Sequence, residues 1–434
     1  MIENNRIIIV DDSEEDLTIL RNVFYDHGIG CRGFVHDDFN YPKQPLKGVR
    51  FAFFDIHLNQ SGDTNSTLKD AIQHYIASDN GPYILIFWSN NTELIKSFIE
   101  FINRQDDDFK SNLKPLHITS IDKTDFLSPG KKLEERVDSI LSSDFVKCII
   151  KFDESVLIAA RETINKILGI IPYPKDWNYG ISTESDLLTQ KVFSNIAFSL
   201  SGLSYAKNNP DLAIKESIAP IFKHVLEQNN DNYWQQYLKP LQDASTPKDL
   251  LLPENVSTEK LNSIFHIDTT PENLSIRHRG AVCPFMLNDK EEVFNKFFEL
   301  SYNDWISNTF KHLYDKCAPD KIQLIALEFS AACDFSQNKP RTNKYILGVI
   351  FPSEFSSKLK KGLPEYSYLL PFNFEFKGMK VAIGLNLNFT FNLPAANDIL
   401  IKPLFILSKE AMDMIGLEYS SHLSRIGITS FRKK

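Results

Sequence analysis

The most constraining feature of this 434-residue sequence is a series of short apolar runs in its first 145 residues, each closed by a polar side chain and separated by helix-patterned segments. RIIIV (6–10) leads into Asp11 and Asp12, FAFF (51–54) into Asp55, YILIFW (83–88) into Ser89, and PLHITSID (115–122) into Lys123. Continuous apolar runs of this length describe strands buried on both faces. HGIGCRGFV (27–35) fits one further strand and its turn. Leu17, Leu20, Val23 and Phe24 recur at helical spacing behind Ser13 and Glu14, which supply an N-terminal cap. LKDAIQHYIAS (68–78), TELIKSFIEFINRQ (92–105) and GKKLEERVDSILSS (130–143) read as further helices. This alternation predicts an α/β domain over 1–145, a doubly wound, parallel, five-stranded sheet.

In such a sheet the loops at the carboxyl ends of the strands form one crevice, where Asp11, Asp12, Asp55, Ser89 and Lys123 are expected to converge. Clustered carboxylates suit a divalent cation with oxygen ligands. One carboxylate can attack a phosphoryl group, while a lysine and a hydroxyl contact the phosphoryl oxygens. Through IIIVDD, FAFFD, LIFWS and ITSIDK, over about 140 residues, the chain resembles the receiver domains of two-component response regulators. The resemblance implies Asp55 as phosphoacceptor, with Ser89 contacting the phosphoryl group and Lys123 pairing with it. It also implies Mg2+ held by Asp11, Asp12, Asp55 and the backbone carbonyl of His57, and a histidine-kinase-like phosphodonor as partner. Three features depart from the family pattern. Thr124 follows the lysine where a proline is usual, Ser120 replaces an aromatic residue, and the Ser89–Lys123 interval is lengthened around Asp106, Asp107 and Asp108. Those departures resemble the divergent receivers of bacterial conflict and anti-phage operons.

Residues 146–250 read as a helical connector, from VKCIIKFDESVLIAARETINKIL to DLLTQKVFSNIAFSLSGLSYA and beyond, with Pro240, Pro247 and Pro253 marking a linker. Residues 251–434 read as a β-rich α+β domain. MKVAIGLNLNFTF (379–391) alternates strictly, placing Val381, Ile383, Leu385, Leu387, Phe389 and Phe391 on one face of a half-buried antiparallel strand. KIQLIALEF (321–329), KYILGVIF (344–351) and YSYLLPFNFEF (366–376) extend the same sheet or barrel. One inserted helix is predicted over 293–314, and a last helix carries Leu407, Ala411, Met414 and Ile415 on one stripe.

Polar candidates in this part are Cys333 and Asp334 after a strand, Lys339 and Arg341 behind them, His266, Asp268, Arg277, His278, Arg279, His422 and Arg425. A Cys–Asp pair with distant histidines suits a nucleophilic or nuclease site. It equally suits a turn with a buried cysteine, and a packed core histidine at 422. The charge balance bears on partners. Residues 1–130 hold 20 acidic and 12 basic side chains, so the rest balances at 36 of each. That leaves no basic footprint for nucleic acid beyond the short terminal FRKK. Five scattered cysteines, no apolar run of membrane-spanning length and no secretory leader point to the cytoplasm. Three functions fit: a phosphoacceptor signalling protein with a protein partner for its C-terminal region, a receiver-gated hydrolase using Cys333 and Asp334, or a degenerate receiver serving as a scaffold.

Overall fold

The computed structural model of the chain describes residues 6–26, 28–37, 41–58, 63–89, 91–104, 115–123, 144–173, 183–228, 233–270, 275–285, 287, 289–311, 313–330, 342–359, 362–394, 400 and 402–424. The chain divides into two compact units, Met1–Phe152 with Tyr233–Tyr237, and Asp153–Asn232 with Leu238–Lys434. Among the described residues no helix is long and apolar enough to cross a membrane.

The first unit runs β1 (Ile7–Asp11), α1 (Glu14–Asp26), β2 (Arg32–Val35), β3 (Phe51–Phe54), α2 (Thr64–Tyr75), β4 (Ile84–Trp88), α3 (Thr92–Arg104), β5 (His117–Ile121) and the start of α4 (Asp144–Leu168). Its five strands pair in parallel in the order β2-β1-β3-β4-β5. β1, β3 and β4 are buried at every residue, which is why their sequences do not alternate. Successive side chains leave a strand on opposite faces. Ile8, Val10, Phe54 and Phe87 pack with Leu68 and Tyr75 of α2 and Phe98 of α3. Ile7, Ile9, Phe53 and Trp88 pack with Leu17, Leu20 and Phe24 of α1 and with Val146 and Ile150 at the start of α4. The helix expected at 130–143 lies outside the described residues, and the boundary expected after 145 falls inside α4. β5 is an edge strand, and Ser120 on it is exposed.

The second unit continues α4 from Asp153 and adds α5 (Thr183–Ser201), α6 (Leu203–Asn208) and α7 (Pro210–Gln228). Then come α8 (Thr258–His266), β6 (Ile267–Asp268), β7 (Ala281–Pro284), α9 (Lys290–Phe298), α10 (Tyr302–Thr309), α11 (Leu313–Lys316), β8 (Gln323–Glu328), β9 (Thr342–Pro352), β10 (Ser367–Leu369), β11 (Phe374–Phe376), β12 (Met379–Pro394), β13 (Phe405–Leu407) and α12 (Lys409–Leu423). The strands form an antiparallel sheet in the order β10-β12-β9-β8-β7-β13-β6, with β11 also on β12.

Five expectations for this unit are corrected. The segment 366–376 is not one strand but two, β10 and β11, either side of Pro371, which has no N–H for a ladder. The helix expected over 293–314 is three, because Glu299 adopts a left-handed φ of 55° and Ser301 caps a new start. β12 is covered on both faces across Val381–Leu387 rather than half-buried. Val381, Ile383, Leu385 and Leu387 meet Ala411, Met412 and Ile415 of α12, while Ala382 meets the cluster of Phe294, Trp305 and Phe310. Finally, the single apolar face does not persist to Phe391. Leu385 pairs with Gly348 but Thr390 with Ile346, so three extra residues on β12 invert its faces. Phe389 and Phe391 join the Trp305 side. The stripe of the last helix is also reset: Leu407 ends β13, and Ala411, Met412, Ile415 and Tyr419 are the buried residues of α12.

Two glycines permit this close packing. A Cβ on Gly384 would stand 2.5 Å from Cε1 of Phe310, and one on Gly348 would stand 2.5 Å from the Gly384 carbonyl oxygen. Gly384→Ala is therefore expected to destabilise the second unit by about 1–3 kcal/mol through overpacking. Urea unfolding followed by far-ultraviolet circular dichroism would show a lowered midpoint, partly restored when Phe310→Leu is added. Strictly additive losses would contradict the assigned contact.

Candidate metal centre

Parallel pairing of β1 with β3 brings the ends of the two strands side by side, and the Asp55 N–H extends their ladder by donating to the Val10 carbonyl at 2.8 Å. Asp11 and Asp55 are both buried, Asp12 is exposed, and carboxylate oxygens of all three lie within 4.8 Å of one another. Among the described residues this is the one group of three or more side chains able to share a metal ion. Lys123, two residues beyond β5, turns into the same crevice. Its Nζ donates to Asp11 Oδ2 at 2.8 Å and Asp16 Oδ2 at 3.0 Å, and pairs with Asp55 Oδ2 at 3.2 Å. Backbone amides hold the other oxygens: Ser13 N–H donates to Asp11 Oδ1 at 2.9 Å, and Ile56 N–H to Asp55 Oδ1 at 2.7 Å.

Four carboxylates thus surround one ammonium, a formal net of three negative charges. Burial pushes the Asp11 carboxyl up to about 6, assisted by the nearby Asp55 charge and opposed by the hydrogen bonds from Lys123 and Ser13. For Lys123, burial works against the charge, but the hydrogen bond to Asp11 and the charges of Asp55 and Asp11 prevail. Its pKa is raised above the ordinary lysine value.

This donor set fits a hard divalent cation. Six-coordinate Mg2+ at about 2.1 Å spaces its ligand oxygens by roughly 3 to 4 Å, which three carboxylates this close can match. Oxygen-only donors favour Mg2+ or Mn2+ over zinc, which prefers nitrogen and sulfur. The His57 side chain is exposed and stands outside the carboxylate group. Ser89 follows β4 and is buried. Its N–H donates to the Ile121 carbonyl at 3.0 Å and its Oγ accepts from Asn91 N–H at 3.3 Å, leaving the hydroxyl proton to be donated.

Sequence reasoning missed Asp16 and Trp88. Asp16 lies four residues after Asp12, one turn along α1, and an acid in a first helical turn reads as a complement to the helix dipole. The Trp88 ring centroid is 6.0 Å from Lys123 Nζ. In the second unit the polar candidates have separate local partners. His266 Nδ1 is 3.4 Å from Ser408 Oγ, and its ring stacks on Phe372 at 4.3 Å. His422 Nε2 is 2.7 Å from Asn388 Oδ1, and the His422 side chain is only partly buried. Arg279 pairs with Asp413 at 3.2 Å, Asp268 accepts from Thr270 N–H at 2.8 Å in a turn, and His278 Nδ1 is 3.1 Å from the Arg279 carbonyl. The Arg277 N–H donates to Ser275 Oγ at 3.2 Å. Cys333, Asp334, Lys339, Arg341 and Arg425 lie outside the described residues. In comparisons with known proteins, the chain matches no family, no curated protein and no solved structure.

The raised Asp11 pKa has a definite consequence for stability. A carboxyl whose folded pKa exceeds its unfolded value favours folding when protonated, and that contribution is lost as pH rises through the folded pKa. Without metal, stability should therefore decline between about pH 4, the ordinary carboxyl value, and about pH 6 relative to Asp11→Asn. At pH 7 Asp11→Asn should be the more stable chain in metal-free buffer and should lose the stabilisation that Mg2+ gives the wild type. Thermal melts across this pH range, with and without Mg2+, test both statements. Parallel pH profiles for the two chains would remove Asp11 as the strained group.

Proposed function

We propose that the first unit is a doubly wound receiver domain that accepts a phosphoryl group on Asp55 from a histidine-kinase-like partner. The observation that carries this reading is the juxtaposition of Asp55 with the Lys123 ammonium, 3.2 Å away, beside two further carboxylates close enough to share one cation. An Asp55 carboxylate oxygen forms the new bond to phosphorus. The bond from phosphorus to the donor's nitrogen or oxygen breaks, and its electron pair leaves with the donor. Asp11, Asp12, Asp55 and the His57 carbonyl would hold Mg2+, which would supply charge neutralisation at the phosphoryl oxygens. Lys123 exchanges carboxylate contacts for a phosphoryl oxygen, and Ser89 donates its remaining proton to another.

Output is assigned to protein interaction by the C-terminal region, in a cytoplasmic signalling pathway of the kind used in phage defence. Residues 131–434 carry 36 acidic and 36 basic side chains. Without net positive charge, the region as a whole does not favour the electrostatic attraction that supplies essentially all non-specific DNA affinity. The exposed Ser120 in place of an aromatic residue supports a signalling route other than the one the resemblance implies.

Beryllofluoride, a phosphoryl mimic, tests this reading. With Mg2+ it should quench or enhance the Trp88 signal of the full chain, because that ring lies 6.0 Å from Lys123 Nζ. Trp88→Phe identifies the reporting ring. Asp55→Asn should give no response. Lys123→Ala should bind at least about tenfold more weakly through loss of a charge-assisted contact. An unchanged response from Asp55→Asn would show that another carboxylate is the acceptor.

A further inference from the structure

We propose that Asp16 is a positioning residue for phosphoryl acceptance, holding the Lys123 ammonium beside Asp55 when a cation and a phosphoryl group occupy the crevice. This role rests on the phosphoacceptor reading of the first unit, which leaves Asp16 unused. One ammonium meets three carboxylates at once: Lys123 Nζ lies 2.8 Å from Asp11 Oδ2, 3.0 Å from Asp16 Oδ2 and 3.2 Å from Asp55 Oδ2.

The three carboxylates differ in what else claims them. Asp11 and Asp55 belong to the group close enough to share a cation, and Asp16 stands outside it. Asp11 also accepts from the Ser13 N–H, and Asp55 from the Ile56 N–H. Among the described residues, Lys123 is the one polar partner of the Asp16 carboxylate. A cation in the crevice draws on oxygens of Asp11 and Asp55, and phosphoryl transfer engages an Asp55 oxygen in the new bond. Both events loosen the hold of those two residues on Lys123. Asp16 keeps its charge and its geometry through both.

The elements at each end of the contact explain why it is needed. Lys123 lies two residues beyond β5. The Ser89 N–H, donating to the Ile121 carbonyl at 3.0 Å, makes the last backbone bond towards it among the described residues. The ammonium is carried on a long flexible stem, so its side-chain contacts decide where the charge sits. Asp16 stands on a fixed element. Its N–H donates to Ser13 Oγ at 3.3 Å, and the following residue, Leu17, is buried with Leu20 and Phe24 against the sheet. A packed helix places a group more precisely than a loop does. The Lys123 and Asp16 side chains are only 12% and 22% exposed, so the pair is not of the weak, solvent-screened kind. Because the contacts to Asp16 and Asp55 coexist, Asp16 does not draw the ammonium off the acceptor. Placing the charge beforehand removes the ordering cost that a free lysine would meet as the phosphoryl oxygens arrive.

Beryllofluoride titration of the full chain with Mg2+, read by the 19F NMR signal of the bound species, tests this role. Asp16→Ala should raise the concentration needed for half-occupancy at least about tenfold, as loss of a charge-assisted contact requires. Asp16→Glu should restore most of the affinity, because it returns the charge. In a Lys123→Ala background, Asp16→Ala should have no further effect, since a residue acting through Lys123 has nothing left to position. Wild-type affinity in Asp16→Ala would overturn the proposal and leave the phosphoacceptor reading standing. Tighter binding would also overturn it, by making Asp16 a competitor for Lys123. So would a loss that Asp16→Glu does not restore or that persists without Lys123, which would mark a general weakening of the fold. No bound signal from the wild type would overturn the phosphoacceptor reading and this role with it.

Discussion

The first unit depends on one electrostatic arrangement, in which a single ammonium is held among carboxylates at the ends of a buried parallel sheet. Lys123 Nζ lies 2.8 Å from Asp11, 3.0 Å from Asp16 and 3.2 Å from Asp55. Each contact ties a different element to β5: Asp11 ends β1, Asp16 sits in the first turn of α1, and Asp55 follows β3. Removing Lys123, the one cation in contact with these carboxylates among the described residues, would leave buried charges uncompensated, which costs several kcal/mol. Yet one lysine cannot neutralise four carboxylates, and burial, with a smaller contribution from the Asp55 charge, pushes the Asp11 carboxyl up to about 6. The crevice thus brings together three carboxylates close enough to share one further cation.

Much of this was legible in the sequence because the relevant signals are local. Uninterrupted apolar runs such as FAFF can be satisfied only by burial on both faces, and β3 is buried at all four positions. Strand ends follow from where such runs stop, so the sequence alone brings Asp11, Asp12, Asp55 and Lys123 to one crevice. Asp16 could not, because its role comes from α1 folding back across β1 rather than from any pattern around it. Its carboxylate reaches Lys123 across 107 residues of chain.

The second unit was less legible for the opposite reason. Its determining events are long-range. Alternation in β12 runs unbroken from Val381 to Phe391, yet the bulge against β9 inverts the faces after Leu385, a register set by the partner strand. Burial of Asn386 likewise reflects its donation to Thr309 Oγ1 at 2.7 Å, on a helix 77 residues earlier. A polar residue on an alternating strand ordinarily marks the solvent side, and here it marks the second layer of helices.

The proposed function makes this crevice a metal-dependent phosphoacceptor site with Asp55 as the nucleophile. The most direct test treats the full chain with a small phosphodonor, reduces the acyl phosphate with borohydride, and locates the reduced residue by mass spectrometry. The expected result is conversion at Asp55 alone, dependent on Mg2+ or Mn2+ and abolished by chelation. Conversion at Asp11, Asp12 or Asp16, conversion without a divalent cation, or none with the metal present would contradict it.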